Sequence, residues 1–349
     1  MIDVVAFIVG VAIQLGLCSW SPLPPPKPSP LEEPRICPQR RNLCFSYDRK
    51  SVIGPGSWDL VCDTQSCFGG SNQSPIRINP DRVKYYCDPV NILQYNALES
   101  VTGILENDGI FPMWAGGIFP VWAGGNLDKV FLQGVPGCLD TKFRLMSVHV
   151  HVGKPGRAGN EHVVGGKKYD AELHLINARD GPAGINRVAG TADVGIFLSR
   201  TEGETNFELD KLLSRLDEIQ TYTGAVTCWD KPCYQGAGRH SRPSCPPWDS
   251  GYGRCGGVGV TIVPELLLPF SRDFYYYYGS RTIPTLSENA LWMIMMEPMR
   301  ITQTQMDLIR SMETRFPGVR IGDNGNSRSP QPLQGRKVLA NCCSKSKLN

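Results

Sequence analysis

Three histidines have a spacing that suits a bound metal ion. His149 and His151 lie in the alternating segment 147–152, and His174 lies in a second alternating segment, 171–175. Alternation of apolar and other residues predicts β-strands, in which residues i and i+2 project to the same face. If the two strands pair, three imidazoles meet at one point. Three nitrogen ligands with an open fourth position are typical of a catalytic zinc site.

Two glutamates extend this pattern. Glu172 lies two residues before His174 and can accept the free ring N–H of a ligand, which fixes the tautomer of that histidine. Glu161 lies between the two strands, next to His162, which we interpret as a packed structural partner. A His-x-His pair alone is weak support, because surface and core histidines can share it. The added Glu-x-His strand makes a metal site the better interpretation.

The combined motifs resemble those of the α-class carbonic anhydrases. The resemblance runs from about residue 45 to about residue 339 and is specific, because further segments match in family order. These segments are 73–76, 194–198, 278–284, 326–328 and 331–336.

The resemblance implies the fold. It implies an α+β, mostly β architecture, in a single domain at 44–340. A central, largely antiparallel, twisted sheet of about ten strands would be surrounded by short peripheral helices. The zinc would lie at the bottom of a cone.

The resemblance also implies Zn²⁺ as the cofactor, held by His149, His151 and His174. Thr282 and Glu161 would then be the catalytic pair. An ionised Glu161 can only accept a hydrogen bond, so the Thr282 hydroxyl donates to it and its oxygen accepts the proton of the nucleophile. The residues expected to surround or support this centre are Glu172, Asn326, Tyr47, Ser74 and Tyr277.

One family feature is missing. The proton-shuttle histidine of the family would fall at Ile110, and no histidine precedes His149. Regeneration of the nucleophile is therefore expected to depend on external buffer.

The pocket that the resemblance assigns to carbon dioxide carries unusual residues. Ile176 and Trp292 keep it apolar, but Asp193, Arg281 and Ile283 stand where the family has valine, leucine and threonine. A buried aspartate is costly unless it is paired. We therefore expect Asp193 to pair with Arg281.

Two functions from different classes follow. The first is an enzyme, a zinc-dependent carbonic anhydrase that hydrates carbon dioxide reversibly to bicarbonate, with reduced activity if the pocket hinders the substrate. The alternative is a catalytically weak or inactive carbonic-anhydrase-related matrix protein with a structural or mineral-interaction role. The complete ligand set with Glu161 and Thr282 favours the enzyme. A general zinc hydrolase is disfavoured because the chain has no His-Glu-x-x-His.

The start of the domain resembles the nacreins, the carbonic anhydrases of molluscan shell matrix. The resemblance rests on residues 44–49, Gly54-Pro55 and Trp58. Nacreins carry a late insertion, and this chain has extra sequence at about 227–258, rich in Cys, Gly and Pro rather than in Gly/Asn repeats. The implied partners are carbon dioxide and bicarbonate, together with calcium carbonate mineral or shell-matrix components.

The ends of the chain and its cysteines predict secretion to an extracellular matrix. The apolar stretch 4–13 is short for a membrane anchor and predicts a signal peptide over 1–18. Residues 19–43 are a Pro-rich linker that ends in a Cys-containing stretch, and 341–349 form a basic tail. Thirteen cysteines indicate an oxidising compartment. Removal of Cys18 leaves twelve (13 − 1), whose pairing the sequence does not define.

Charge and composition disfavour other classes. The net charge of +3 is mild, and the chain lacks the Lys/Arg-aromatic stripe of nucleic-acid-binding proteins. No membrane anchor is expected. An N-glycosylation sequon begins at Asn72, but Pro75 follows it and disfavours a glycan there.

Overall fold

A computed structural model describes residues 45–58, 70–89, 91–110, 112–115, 130–181, 188–222 and 257–342. The predicted signal peptide, the linker, residues 227–256 of the predicted insertion and residues 343–349 of the tail lie outside this part of the chain. They stay predictions.

The described residues form fifteen strands and three short α-helices. The strands are β1 (Arg77–Ile78), β2 (Lys84–Tyr86), β3 (Gln94–Tyr95), β4 (Val101–Asn107), β5 (Pro112–Ala115), β6 (Leu132–Gln133), β7 (Phe143–Val152), β8 (Val163–Val164), β9 (Ala171–Arg179), β10 (Thr191–Thr201), β11 (Gly257–Ile262), β12 (Phe274–Gly279), β13 (Ala290–Met295), β14 (Met299–Thr302) and β15 (Leu339–Asn341). The helices are α1 (Phe207–Leu213), α2 (Gln303–Ser311) and α3 (Ile321–Asn324), and 3₁₀ turns occur at Pro80–Arg82, Leu216–Ile219 and Pro264–Leu267.

One large sheet organises the described residues. Ten strands run in the order β11-β4-β5-β7-β9-β10-β13-β12-β15-β2, and β3, β6 and β14 attach beside this path to give thirteen. Most of the pairings are antiparallel, and the parallel ones join β10 to β13, β10 to β14 and β15 to β2. The mostly β, largely antiparallel fold is confirmed. The strand count exceeds the expected ten because short strands of two to four residues attach beside the main path.

The two faces of β7 and β9 have different roles. Val148, Val150, Leu173 and Leu175 lie together in the main hydrophobic core. The histidines alternate with these residues along the same strands and therefore project to the opposite face. Burial of the apolar face thus determines the side of the sheet on which the histidines meet.

A helical segment covers part of the core. The leucine spacing of 207–219 predicts one amphipathic helix, and the structure has α1 followed by the 3₁₀ turn at Leu216–Ile219. The Asn206 side chain accepts a hydrogen bond from Leu209 N and caps α1. The predicted apolar positions are all buried: Leu209, Leu212, Leu213, Leu216 and Ile219. Among the described residues, no helix has the length and apolar character needed to cross a bilayer.

Gly103, in the middle of β4, generates a prediction about stability. A Cβ atom there would lie 2.5 Å from the Ala115 carbonyl oxygen and closer still to the ring of the fully buried Trp114. We predict that Gly103→Ala lowers the free energy of unfolding by about 1–3 kcal/mol, the usual cost of overpacking a core. The control is Gly56→Ala, where an added Cβ would meet no atom within 4 Å. Equal urea midpoints for the two variants would contradict the prediction.

Candidate metal centre

The pairing of β7 with β9 brings the three histidines together. His149 is opposite His174 in the register, and His151 is opposite Glu172. The ring centroids of the three imidazoles lie 4.5 to 5.2 Å apart, and one nitrogen from each ring lies within 4.8 Å of the others. None of the three residues is more than 8 % exposed. This group has the composition and the spacing to hold a metal ion.

Hydrogen bonds to the outer nitrogens orient two of the rings. His151 Nδ1 donates to the Asn326 carbonyl at 2.6 Å, and His174 Nε2 donates to Glu172 Oε1 at 2.9 Å. His174 Nδ1 is buried and makes no hydrogen bond to any described residue. An acceptor on the outer nitrogen holds a ligand histidine in one tautomer and leaves its other nitrogen for the metal. His174 therefore offers Nδ1, and His151 offers Nε2.

Burial favours neutral imidazoles, the form that binds metals. It lowers the pKa of His149 well below its ordinary value and the pKa of His151 to about 3. Burial acts on His174 in the same direction, but the hydrogen bond and charge of Glu172 outweigh it and raise the pKa of that ring. A more basic imidazole is a stronger metal ligand.

Glu172 is a buried carboxylate with hydrogen-bond donors on both oxygens. Oε2 accepts from the backbone N–H groups of Glu161 (2.7 Å) and His162 (2.8 Å). Oε1 lies 2.6 Å from His162 Nδ1 and 2.9 Å from His174 Nε2. Burial alone would raise the pKa of Glu172, but His162 and His174 hold it well below its usual range. The residues His162, Glu172 and His174 could also hold an ion by spacing, yet their polar atoms are already used in this network.

Asn326 ties the closing segment to the metal strands. Its Oδ1 accepts from Val152 N at 2.6 Å, and its Nδ2 donates to the carbonyls of Ile110 (3.1 Å) and Val150 (3.2 Å). Gly325 permits this close approach, because it has a φ of +68° and a Cβ there would lie 2.8 Å from the Val152 carbonyl oxygen. The carbonyl that receives the histidine hydrogen bond is therefore held firmly.

Glu161 and Thr282 are neighbours, and a hydrogen-bonding interaction with the Thr282 side chain lowers the pKa of Glu161, although the two groups do not form a hydrogen bond of ordinary geometry. Oε1 of the fully buried Glu161 accepts from Arg328 N at 2.7 Å, and Oε2 makes no hydrogen bond to the described residues. Burial raises the pKa of Glu161 to about 7, although His174 and the nearby Thr282 side chain lower it in part. The backbone N–H of Arg328 therefore satisfies Oε1 of Glu161.

Ser74 and Tyr277 form a network behind the histidines, and Tyr47 does not join it. The Tyr277 hydroxyl donates to Ser74 Oγ at 2.8 Å and lies 2.7 Å from His162 Nε2. Ser280 N donates to Ser74 Oγ at 3.0 Å, and Ser74 N donates to Ser280 Oγ at 2.9 Å. The ring of Tyr47 packs in an aromatic cluster, and its hydroxyl makes no hydrogen bond to the described residues.

The predicted pocket residues lie beside this centre. Asp193 in β10 is opposite Ile176 in β9 and Trp292 in β13. Two positions further along β10, on the same face, Gly195 is opposite His174. Asp193, Ile176 and Trp292 therefore adjoin the histidines. All three are buried, whereas Arg281 and Ile283 are half-buried.

The expected pair between Asp193 and Arg281 is wrong as a direct contact. Both carboxylate oxygens of Asp193 are buried and make no hydrogen bond or ion pair within the described residues. Burial raises the pKa of Asp193 to about 6, and the charge of Arg281 lowers it only in part. Arg281 is half-buried, so its long side chain retains access to water instead of completing the pair.

The position of the missing shuttle is apolar. Ile110 is 8 % exposed and packs with Phe45, Trp58 and Leu286. The side chain at this position therefore carries no group that can accept a proton.

Three residues that contribute to the centre were not predicted from the sequence. Met113 in β5 is opposite His149 and packs against the buried cluster that contains Ile110. Strand alternation could have placed it on this face only if the register of β5 had been known. Ser280 and Arg328 lie within motifs that were noticed, but their roles depend on contacts with segments more than 150 residues away in the chain.

The backbone N–H and the side-chain amide of Asn72, the first residue of the glycosylation sequon, both form hydrogen bonds. Asn72 N donates to Glu288 Oε1 at 2.7 Å, and Asn72 Nδ2 donates to Glu288 Oε2 at 3.3 Å. The sequon residue Ser74 is fully buried. This geometry favours an unglycosylated Asn72.

Asn326 generates a prediction about the stability of the centre. We predict that Asn326→Ala lowers the free energy of unfolding by about 2–4 kcal/mol, because three buried hydrogen bonds are lost and their backbone partners stay buried. Asn324→Ala is the control, since the Asn324 side chain makes only an exposed contact of 3.5 Å with Lys154. Urea unfolding of the metal-free proteins measures both. A loss of the same size in the control would contradict the role of Asn326.

Comparisons with known proteins define the family. The eukaryotic-type carbonic anhydrase family matches residues 53–231 and 258–342. A putative carbonic anhydrase 1 of Lottia gigantea is 29 % identical over 347 residues, which cover 88 % of this chain and 84 % of that protein. Carbonic anhydrase 3 of Mus musculus is 30 % identical, covering 82 % of this chain and 95 % of its own length. Carbonic anhydrase 7 of the same organism is also 30 % identical, with 85 % and 97 % covered.

The family match spans more than half of the chain, and the two matched ranges include all three histidines, Glu161, Glu172 and Thr282. The chain therefore belongs to the eukaryotic-type carbonic anhydrase family.

Proposed function

We propose that the chain is a zinc-dependent carbonic anhydrase that hydrates carbon dioxide reversibly to bicarbonate. The observation that carries this proposal is the buried group of His149, His151 and His174, in which Asn326 and Glu172 orient two of the rings. Three neutral imidazoles suit Zn²⁺, whereas Mg²⁺ and Ca²⁺ prefer oxygen ligands. The unbonded Nδ1 of His174 supports the same choice.

Zinc held by three histidines lowers the pKa of a coordinated water to about 7 and so supplies a nucleophile at neutral pH, an effect for which carbonic anhydrases are the reference case. The protein's own part is orientation. The Thr282 hydroxyl would donate a hydrogen bond to Glu161, which would leave its oxygen to accept a hydrogen bond from the nucleophile. Ile176 and Trp292 supply an apolar wall for carbon dioxide.

A weaker, matrix-type function is the second candidate, and one observation favours it. Asp193 places a buried carboxyl group without hydrogen bonds in the row next to His174. A polar group there disfavours an apolar substrate such as carbon dioxide. The enzyme is the better proposal because the ligand set is complete and Glu161 and Thr282 are present, so the main roles are filled apart from the proton shuttle and an apolar pocket.

The cellular setting is also a proposal. We propose a secreted, nacrein-like protein of an extracellular matrix that supplies bicarbonate for calcium carbonate deposition. Its support is the apolar N-terminal stretch, the thirteen cysteines and the nacrein-like start of the domain. Cys87 is disulfide-bonded, which fits an oxidising compartment.

Stopped-flow carbon dioxide hydration tests the enzyme proposal. We predict a rate that rises with buffer concentration, because Ile110 cannot relay protons, and that falls to background in His174→Ala. His240→Ala, which removes a histidine of the predicted insertion, is the control and should keep the wild-type rate. Zinc-loaded protein without a rate above background would favour the matrix function. A rate independent of buffer would show that another group relays protons.

Removal of the buried carboxyl group tests the pocket. We predict that Asp193→Val increases kcat/KM for carbon dioxide and raises the free energy of unfolding by about 1–3 kcal/mol, the usual cost of an unsatisfied buried polar group. Thr102→Val, which removes a hydroxyl that forms an exposed hydrogen bond with Thr261 on β4 and β11, is the control for loss of a polar group on a strand. It should leave kcat/KM unchanged. A lower kcat/KM in Asp193→Val would show that the carboxyl group assists the reaction.

A further inference from the structure

A second cavity lies away from the histidines. It has a volume of about 480 Å³ and is lined by the turn 155–158, by residues 168–170, by Arg200 at the end of β10 and by one side of α2. Its lining shares no residue with the histidine group. We call this cavity the basic groove. Its volume is in the range of ligand-binding sites.

One wall of the basic groove is a fixed polar ladder. Arg200 Nη1 donates to Gln303 Oε1 at 3.0 Å, and Gln303 Nε2 donates to Asp307 Oδ1 at 2.8 Å. Arg310 Nη1 donates to the same Asp307 oxygen at 3.3 Å, and Arg310 Nε donates to the Gly153 carbonyl at 3.0 Å. Arg310 is only 8 % exposed, so its guanidinium is held rigidly. Two arginines are thus fixed along one wall before any ligand arrives.

The loop segments of the lining carry two cations without an ion-pair partner among the described residues. Arg157 and Lys168 are exposed, and neither side chain forms an ion pair or hydrogen bond with the described residues. Asp170 is near them, but its Oδ2 already accepts from Arg200 N at 3.1 Å. With Arg200 and Arg310, four cationic side chains face two carboxylates, a balance of +2 (4 − 2).

We propose that the basic groove binds a sulfated polysaccharide. Guanidinium groups recognise sulfate oxygens through charge-assisted and bidentate hydrogen bonds. Four cations from separate segments of one lining suit a ligand with several charges rather than a single ion. Tyr169 adds a rigid aromatic ring to the lining, because it stacks on Phe197 with centroids 4.4 Å apart.

The site itself does not depend on the metal centre, since the two share no residue. The choice of a polysaccharide over other polyanions rests on the extracellular location proposed above, where sulfated sugars are abundant. Binding would hold the enzyme in a matrix without blocking its reaction.

Binding of a heparin-derived hexasaccharide to the full chain at 0.15 M NaCl is the test, measured by isothermal titration calorimetry. The double variant Arg157→Gln/Lys168→Gln should weaken binding by about tenfold, through loss of two charge-assisted contacts. The control is Arg82→Gln/Lys84→Gln, which removes two exposed cations elsewhere and also lowers the net charge from +3 to +1 (3 − 2). It should bind within about twofold of the wild type.

Four results would overturn the proposal: no binding to the wild type, equal weakening in both double variants, equally tight binding of the desulfated hexasaccharide, or equally tight binding of polyglutamate. The last would assign the groove to acidic polypeptides. A urea-unfolding midpoint equal to that of the wild type confirms an intact fold in each variant. Failure of the enzyme proposal would leave the calorimetric comparison unaffected.

Discussion

The register between β7 and β9 is the constraint on which the centre depends. It sets His149 opposite His174 and His151 opposite Glu172. A slip of one residue would turn the histidines into the core and expose Val148 and the other valines of β7 to the metal side. Burial of the apolar face against the core makes such a slip costly. The hydrophobic core and the metal centre are therefore two faces of a single strand pairing.

The buried carboxyl groups around this pairing differ in how well they are satisfied. Glu172 has donors on both oxygens, and its pKa is held low. Glu161 has one satisfied oxygen and a raised pKa, and Asp193 has none. The number of hydrogen bonds differs with position: the carboxylate of Glu172, which accepts from His174, is fixed by donors on both oxygens, whereas the carboxylate of Asp193, in the proposed substrate pocket, is not fixed. Asp193 is thus the main physical departure from an apolar carbon dioxide site.

The meeting of the three histidines was predictable from strand alternation, because alternation defines the face to which each side chain projects. The fold class followed from the resemblance to the α-class carbonic anhydrases. The sequence also predicted that Glu172 would face a ligand ring. It could not predict that Asn326 would supply a backbone carbonyl to His151, because that contact joins positions 175 residues apart. The Asp193–Arg281 pair failed for a related reason. Opposite charges near one site do not determine side-chain reach, and Arg281 keeps access to water.

Diffraction from zinc-soaked crystals at the zinc absorption edge tests the central claim most directly. We predict one anomalous peak at Nδ1 of His174, Nε2 of His151 and a nitrogen of His149, with Zn–N distances of about 2.0–2.1 Å. A peak on the His162–Glu172 side of His174, or protein that binds no zinc there, would contradict the account.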